Sequence, residues 1–268
     1  MTKSALVTGG GSGIGAAIAR RLARDGFHVC LTGRRREPLE RVAEEIGGVA
    51  VSVDTSGPEG AERAVDAALE RSGRLDAVVC NAGTGASGTV AEQRPERWDA
   101  VLATNLTGTF LTCRAALPHL VASRGAVVTV SSLAGLRAGP ASAAYCASKA
   151  GVVMLTQCIA LDHGPQGVRA NCVCPGWVRT PMADGEMDEL AERRGTDREG
   201  AYALALRYVP ARRAGASEEV AETVAWLAGP ESSYVNGAVI TVDGGASVVD
   251  PASVAFGRLD SSTTEEGR

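Results

Sequence analysis

The sequence predicts an α/β protein: a Rossmann-type, doubly wound, seven-stranded parallel sheet with helices on both faces. Three observations predict it. Strand-like apolar runs alternate with helix-length amphipathic segments along most of the chain, the pattern of a parallel sheet covered on both sides. The turn after the first strand-like run is rich in glycine and opens straight into a helical pattern. At 268 residues and 45% hydrophobic content the chain can bury a large core, and one domain over 1–250 takes in every run, leaving a polar tail at 251–268.

The candidate strands are 5–8, 28–32, 49–53, 77–80, 126–131, 169–174 and 238–242. Between the first two, Ile14, Ile18 and Leu22 recur every fourth residue and give one helix its apolar stripe, with Gly26 where a C-cap belongs. Residues 182–215 break the alternation, being charged and helix-prone, and read as an insertion rather than a domain.

The bulk numbers exclude several classes. A net charge of −4, a pI near 5.5 and a longest basic run of only Arg34, Arg35 and Arg36 give no footprint for nucleic acid. No apolar stretch reaches the roughly 18 residues of a membrane span, and the N-terminus carries no signal-peptide pattern, so a cytoplasmic protein with no membrane partner is expected. Seven scattered cysteines suit buried thiols better than disulfides. Cys172 and Cys174 fall on one face of a strand-like run, without the further ligands a metal site needs.

The stretch TGGGSGIG, residues 8–15, leaves the first strand and enters the first helix. Glycines there let the backbone approach a pyrophosphate, which the helix N-terminus attracts. A plain tight turn is the alternative, because the spacing is Gly9, Gly13, Gly15 rather than GxGxxG. At the end of the second strand a carboxylate would hold the ribose 2′-hydroxyl of NAD, whereas a cation would hold the 2′-phosphate of NADP. Here Gly33 is followed by Arg34, Arg35 and Arg36, and no acid precedes Glu37. Arg34 can fork onto phosphate oxygens, so NADP(H) is the preferred cofactor, with NAD(H) possible; a solvated basic loop is the alternative.

The stretch YCASK, residues 145–149, holds one of only two lysines, the other being Lys3, in a chain with 27 lysines and arginines. Four residues apart on a helix, Tyr145 and Lys149 share a face. A phenol ordinarily titrates near 10; bringing it to about 7 takes roughly 4 kcal/mol of preferential phenolate stabilisation, which a neighbouring ammonium helps to supply. Unlike a guanidinium, an ammonium turns three donors toward different acceptors. A tyrosine packed beside a snorkelling lysine is the bland alternative for the pair taken alone. Ser132, at the end of the strand-like run VVTVSS, adds a hydroxyl able to hold a carbonyl oxygen.

Taken together, residues 8–15, Asn81, Ala82 and Gly83 (NAG), Asn105 (in TNLTG), Ser132, Tyr145 with Lys149, and Pro175 with Gly176 resemble the short-chain dehydrogenase/reductase family in order and approximate spacing, over about residues 3–248. The resemblance implies Tyr145 as general acid/base, Ser132 as holder of the substrate oxygen, and Lys149 as the group that lowers the tyrosine pKa and binds the nicotinamide ribose. It implies Asn105 as keeper of a water behind Lys149. For the cofactor it implies Gly9, Ser12, Gly13, Ile14 and Gly15 at the pyrophosphate, Asp54 at the adenine, and Asn81, Ala82 and Gly83 on the adenosine side. Pro175, Gly176, Val178 and Thr180 would sit at the nicotinamide end. Many NADP-preferring members carry a base before the second motif glycine, where this chain has Ser12, so the NADP reading rests on Arg34 and its neighbours. A homotetramer is implied by analogy, through the long helices that follow Asn105 and contain Tyr145.

These features predict reversible hydride transfer between NADP(H) and a small-molecule ketone or secondary alcohol, with a 3-oxoacyl or polyketide-like carbonyl reductase as the leading form. An NAD-dependent alcohol or diol dehydrogenase and a non-catalytic dinucleotide sensor are the alternatives. The segment 182–215 lies where the family places a substrate lid. Its Met182, Met187, Leu190, Tyr202, Leu204, Leu206 and Tyr208 either line a pocket or pack a surface helix pair, and Trp177 either walls the nicotinamide site or packs beneath it.

Overall fold

A computed structural model describes residues 2–250 and 252–256; the expected tail beyond 256 lies outside the described residues. Seven strands form one parallel sheet: β1 (Ser4–Thr8), β2 (His28–Gly33), β3 (Val49–Ser52), β4 (Ala77–Cys80), β5 (Ala126–Val130), β6 (Arg169–Pro175) and β7 (Val239–Val242). Their spatial order is β3-β2-β1-β4-β5-β6-β7. The order reverses between β1 and β4, and it is outside the carboxyl ends of such strands that a crevice opens. Residues 81–84, the glycine turn and the end of β5 all lie along that edge. The predicted strands hold to within one or two residues at each end.

Helices α1 (Gly13–Arg24), α2 (Arg36–Ile46) and α9 (Ser217–Ala228) cover one face of the sheet; Ile18, Leu22, Leu39, Val42, Val220 and Val224 fill that core. The expected stripe of α1 is confirmed, with Ile18 and Leu22 fully buried and Ile14 packed at its edge. Helices α3 (Pro58–Leu69), α5 (Gly108–Ser123) and α6 (Ala143–His163) cover the other face, where Val65, Leu120 and Ile159 meet Leu6, Val78 and Val127 of the sheet. Strands buried on both faces explain why they read as continuous apolar runs rather than alternating ones.

A short helix α4 (Pro95–Leu102) runs into a wide, π-type turn at Ala103–Thr107 before α5. The segment expected as a lid is helical: α7 (Pro181–Arg194) and α8 (Arg198–Ala205). Met187, Tyr202 and Leu206 pack with Ala191, Ala201 and Val209 into a small core of the segment's own, while Met182, Leu204 and Tyr208 stay exposed.

By length and composition the helical run Ala143–Gln166 is long and apolar enough to cross a membrane, with a mean hydropathy of 1.3. A search for unbroken apolar stretches passes over it because serine, threonine and Lys149 interrupt the run without making it polar on average. Its Ala144, Ser148, Lys149, Val152, Thr156 and Ile159 are buried against the rest of the fold, which is the packing of a core helix.

Strand β6 is fastened to the chain before β7 by Asn171, fully buried, whose side chain donates to the Val235 carbonyl and accepts from the Ala238 N–H at 2.8 and 3.0 Å. Asn171→Ala leaves both backbone groups unpaired inside the protein, and a loss of about 2–4 kcal/mol in urea-unfolding stability is expected.

Candidate active site

The glycine turn comes first. Gly9 and Gly13 adopt left-handed backbone with φ of 67° and 52°. A side chain at Gly15 would collide with the Gly9 carbonyl oxygen. The neighbouring turn is sewn to it: Thr8 Oγ1 accepts from the N–H groups of Asn81 and Ala82 at 3.0 and 3.1 Å, and Asn81 Nδ2 donates to the carbonyls of Thr8 and Gly9. Asn81 therefore shapes the cradle with its amide, and the face it leaves open is the backbone of Ala82 and Gly83. Thr180 caps α7 by accepting from the Ala183 N–H at 3.1 Å, and its Cγ2 lies 3.1 Å from the point where a Gly13 side chain would begin. The N-termini of α1 and α7 thus meet across the crevice. Val178 is buried and bridges Gly215, which holds the strand-end segment with Pro175 and Gly176 in place. A narrow, side-chain-free cradle at a helix N-terminus fits a dinucleotide pyrophosphate.

At the ribose end, Arg34 and Arg35 are exposed and no ion pair claims either among the described residues, whereas Arg36 is held by Glu40 at 2.6 Å. Arg35 Nη2 reaches Ser12 Oγ at 3.3 Å. A guanidinium therefore sits beside the very loop position where sequence reasoning found no base. Asp54 is exposed and ionised below the usual carboxylate range, chiefly because it accepts from the Ser56 N–H.

The second cluster lies where β5 ends. Ser132 Oγ accepts from the Ala134 N–H at 3.1 Å and stands close enough to Tyr145 to favour its phenolate. The turn Leu133–Gly135 presses on α6 so closely that a Gly135 side chain would lie 2.8 Å from the Lys149 carbonyl oxygen. Ser131 Oγ donates to that same carbonyl at 2.8 Å. These two contacts set Ser132 against Tyr145. Lys149 is 5% exposed and its Nζ donates to the Val130 carbonyl at 2.9 Å. Asn105, 1% exposed, spends both amide donors, on the Thr84 carbonyl and on Ser148 Oγ, and accepts from the Thr84 N–H. Ser148 in turn donates to the Tyr145 carbonyl. Asn105 thereby ties the turn after β4 to the helix that carries Tyr145 and Lys149.

The expected acidification of Tyr145 by Lys149 is not what the chain by itself provides. Burial lifts the tyrosine pKa above its ordinary value near 10, opposed by the neighbouring Ser132 hydroxyl, with the negative Glu186 adding to the rise. The Lys149 ammonium is turned toward Val130 and stands 5.7 Å from the centre of the Tyr145 ring. Its own pKa is pulled down to about 8 by burial. Cys172 and Cys174 do share a face, Sγ to Sγ 3.9 Å, beneath this lysine.

The structure thus brings Ser132, Tyr145, Lys149 and Asn105 together and sets the glycine cradle along the same edge of the sheet. Sequence reasoning missed Ser131, Gly135 and Ser148. A hydroxyl or a glycine one residue from a motif gives no signal of its own.

A glycine cradle for a dinucleotide and a serine–tyrosine–lysine cluster on one crevice define an NAD(P)-binding oxidoreductase. A family model described as Enoyl-(Acyl carrier protein) reductase matches residues 9–247, and the chain belongs to the short-chain dehydrogenase/reductase family. It is 39% identical to Protein MoaE of Klebsiella aerogenes over 96% of this chain and 100% of that one. It is 36% identical to the meso-2,3-butanediol dehydrogenase of Serratia marcescens over 92% of this chain and 96% of that one. A crystal structure of an actinorhodin polyketide ketoreductase with NADPH superimposes with a TM-score of 0.87 at 35% identity, covering 91% of this chain and 97% of that one.

The buried lysine sets a test of stability. Its pKa falls from the usual 10.5 to about 8 on folding, so between these values the unfolded chain holds more protons and stability rises with pH. Below pH 8 the buried charge costs up to about 3 kcal/mol. Lys149→Met is expected to be more stable than wild type at pH 7, the gap closing as pH rises through 8 to 10.5, in urea titrations across that range.

Proposed function

We propose that this enzyme is an NADP(H)-dependent carbonyl reductase in which Tyr145 is the general acid and Ser132 holds the substrate oxygen. The observation that carries the reading is Ser132 set beside Tyr145, with Lys149 buried one helical turn on, at the end of β5 on the crevice edge. When bound, the reduced nicotinamide supplies a hydride to the carbonyl carbon. The Ser132 hydroxyl then donates to the carbonyl oxygen and polarises it. As negative charge develops there, the Tyr145 O–H gives up its proton to the oxygen, forming the alcohol and leaving a phenolate. The positive charge of Lys149, one helical turn away, stabilises that phenolate. Asn105 keeps the helix in register with the turn after β4, a positioning role alongside the water-keeping one that the family resemblance implies.

For the cofactor, Gly9, Ser12, Gly13, Ile14 and Gly15 would cradle the pyrophosphate. Asp54 with Ala82 and Gly83 would face the adenosine, and Pro175, Gly176, Val178 and Thr180 the nicotinamide end. Arg34 and Arg35 support NADP over NAD: two cations free of ion pairs stand where a carboxylate would repel the 2′-phosphate. The polyketide ketoreductase with NADPH supports a reductase of extended ketones, while the butanediol dehydrogenase keeps alcohol or diol oxidation as the second reading. A cytoplasmic homotetramer acting without nucleic acid or membrane completes the reading. It is supported by Phe110, Met154 and Leu161, exposed on α5 and α6.

Two experiments test this. Tyr145→Phe is expected to bind NADPH as wild type does, by fluorescence titration, while losing at least about a thousandfold in kcat for ketone reduction. Arg34→Ala and Arg35→Ala are each expected to raise the KM for NADPH about tenfold and leave that for NADH within about twofold, in steady-state assays with one ketone.

A further inference from the structure

The backbone carbonyls of Tyr145 and Lys149, the two residues on which the proposed chemistry turns, are each held by a serine hydroxyl. Ser131 donates to the Lys149 carbonyl from the end of β5, and Ser148 donates to the Tyr145 carbonyl at 2.8 Å from within α6. A hydroxyl that bonds back onto its own helix is by itself ordinary. Thr109, Thr112 and Thr156 do the same to the carbonyls of Asn105, Gly108 and Val152. Ser148 does more: fully buried, it also accepts from Asn105 Nδ2 at 2.9 Å, across 43 residues of sequence.

Asn105 sits in the π-type turn before α5, and every polar atom of its side chain is taken. Nδ2 donates to the Thr84 carbonyl at 2.9 Å as well as to Ser148, and Oδ1 accepts from the Thr84 N–H at 2.8 Å. Thr84 follows Gly83, which lies close on the same cluster. A side chain at Gly83 would begin 3.4 Å from Lys149 Nζ and 3.6 Å from Asn105 Oδ1. The turn is bonded in the other direction to the glycine cradle, through Thr8, Asn81 and Ala82. A series of hydrogen bonds joined by the short peptide 81–84 therefore runs from the cradle through the Asn105 amide to Ser148 and the Tyr145 carbonyl. Ser148 is the member of that series that belongs to α6.

We infer that Ser148 is a positioning residue for the reaction: it sets the place of Tyr145 relative to the turn at 81–84 that faces the cofactor, so that phenol and nicotinamide meet the substrate in register. The inference rests on Tyr145 acting as the general acid, as proposed above. Without the Ser148 hydroxyl the Asn105 amide, 1% exposed, keeps a donor with no acceptor inside the protein. Turning the amide to find a new acceptor breaks its bonds to Thr84, so either the turn or α6 shifts. A misplacement of about 1 Å between reacting groups costs about a hundredfold in rate. Cofactor affinity suffers less, because Thr8, Asn81 and the glycines of the cradle are untouched.

The test compares Ser148→Ala and Ser148→Thr with Thr156→Val. Thr156 is the control: it is as buried as Ser148, bonds back onto α6 and reaches another element at Thr129 Oγ1, 2.7 Å away, yet lies about two turns further along the helix. The single-turnover rate of NADPH oxidation, with ethyl 3-oxobutanoate and with 3-hydroxy-2-butanone, is set against the Kd for NADPH from fluorescence titration. Ser148→Ala is expected to slow turnover about ten- to a hundredfold and to leave the Kd within about threefold. Ser148→Thr keeps the hydroxyl and should stay within about fivefold of the wild-type rate. Thr156→Val should lower the urea midpoint as Ser148→Ala does, while its rate stays within about twofold of wild type. Should Ser148→Ala not fold, Ser148→Cys, closer in size and with a weak sulfur donor, replaces it with an expected loss of about five- to twentyfold. An unslowed Ser148→Ala, a Ser148→Thr equally slow, an equal loss in Thr156→Val, or a weakening of NADPH binding as large as the loss of rate overturns the assignment. If wild type binds NADPH but reduces neither ketone, the reductase reading falls and this inference with it; normal wild-type turnover with an unslowed Ser148→Ala sinks Ser148 alone.

Discussion

The structure is organised around a cation that has been taken out of water. Lys149 reaches inward from α6 to the Val130 carbonyl and is almost wholly enclosed. Burying an ammonium is unfavourable unless donors and acceptors are arranged around it, and the depressed pKa is the measure of that cost. Much of the surrounding geometry follows. The Leu133–Gly135 turn lies directly on the lysine's backbone, Ser131 bonds to its carbonyl, and Asn105 locks the next turn through Ser148. The same contacts leave Ser132 and Tyr145 facing one another. A charge that is expensive to bury is kept one helical turn from the Tyr145 phenol.

This arrangement separates two roles that the sequence motif merges. In the chain itself Tyr145 is held protonated, because burial and Glu186 both oppose its ionisation. That is the state a reductase needs in its general acid, which has a proton to give. In the proposed reaction the lysine would act on the phenolate left once the proton has gone. The pair therefore resembles a poised donor with a charge beneath it more than a standing phenolate.

The roof of the crevice follows a different logic. The segment after Thr180 has its own small core of Met187, Tyr202 and Leu206; Arg198 of α8 pairs with Asp188 of α7, and Arg179, just before α7, pairs with Glu199 of α8. The side chains that seemed able to line a pocket are largely those that hold the two helices to each other. Surface pairs of this kind contribute little stability singly, but here they fix which face of α7 is turned to the site.

The sheet, the glycine turn and the shared helical face of Tyr145 and Lys149 were legible from residue order alone, because strand runs, helical periodicity and tight turns are local properties of the chain. What the order of residues could not contain is who meets whom across space. Arg35 comes to Ser12 over 23 residues, and Asn105 to Ser148 over 43. Nor could it contain the direction of a pKa shift, since desolvation belongs to the packed surroundings rather than to the residue. Composition and spacing named the chemistry; only the tertiary fold set the charges and the pairings.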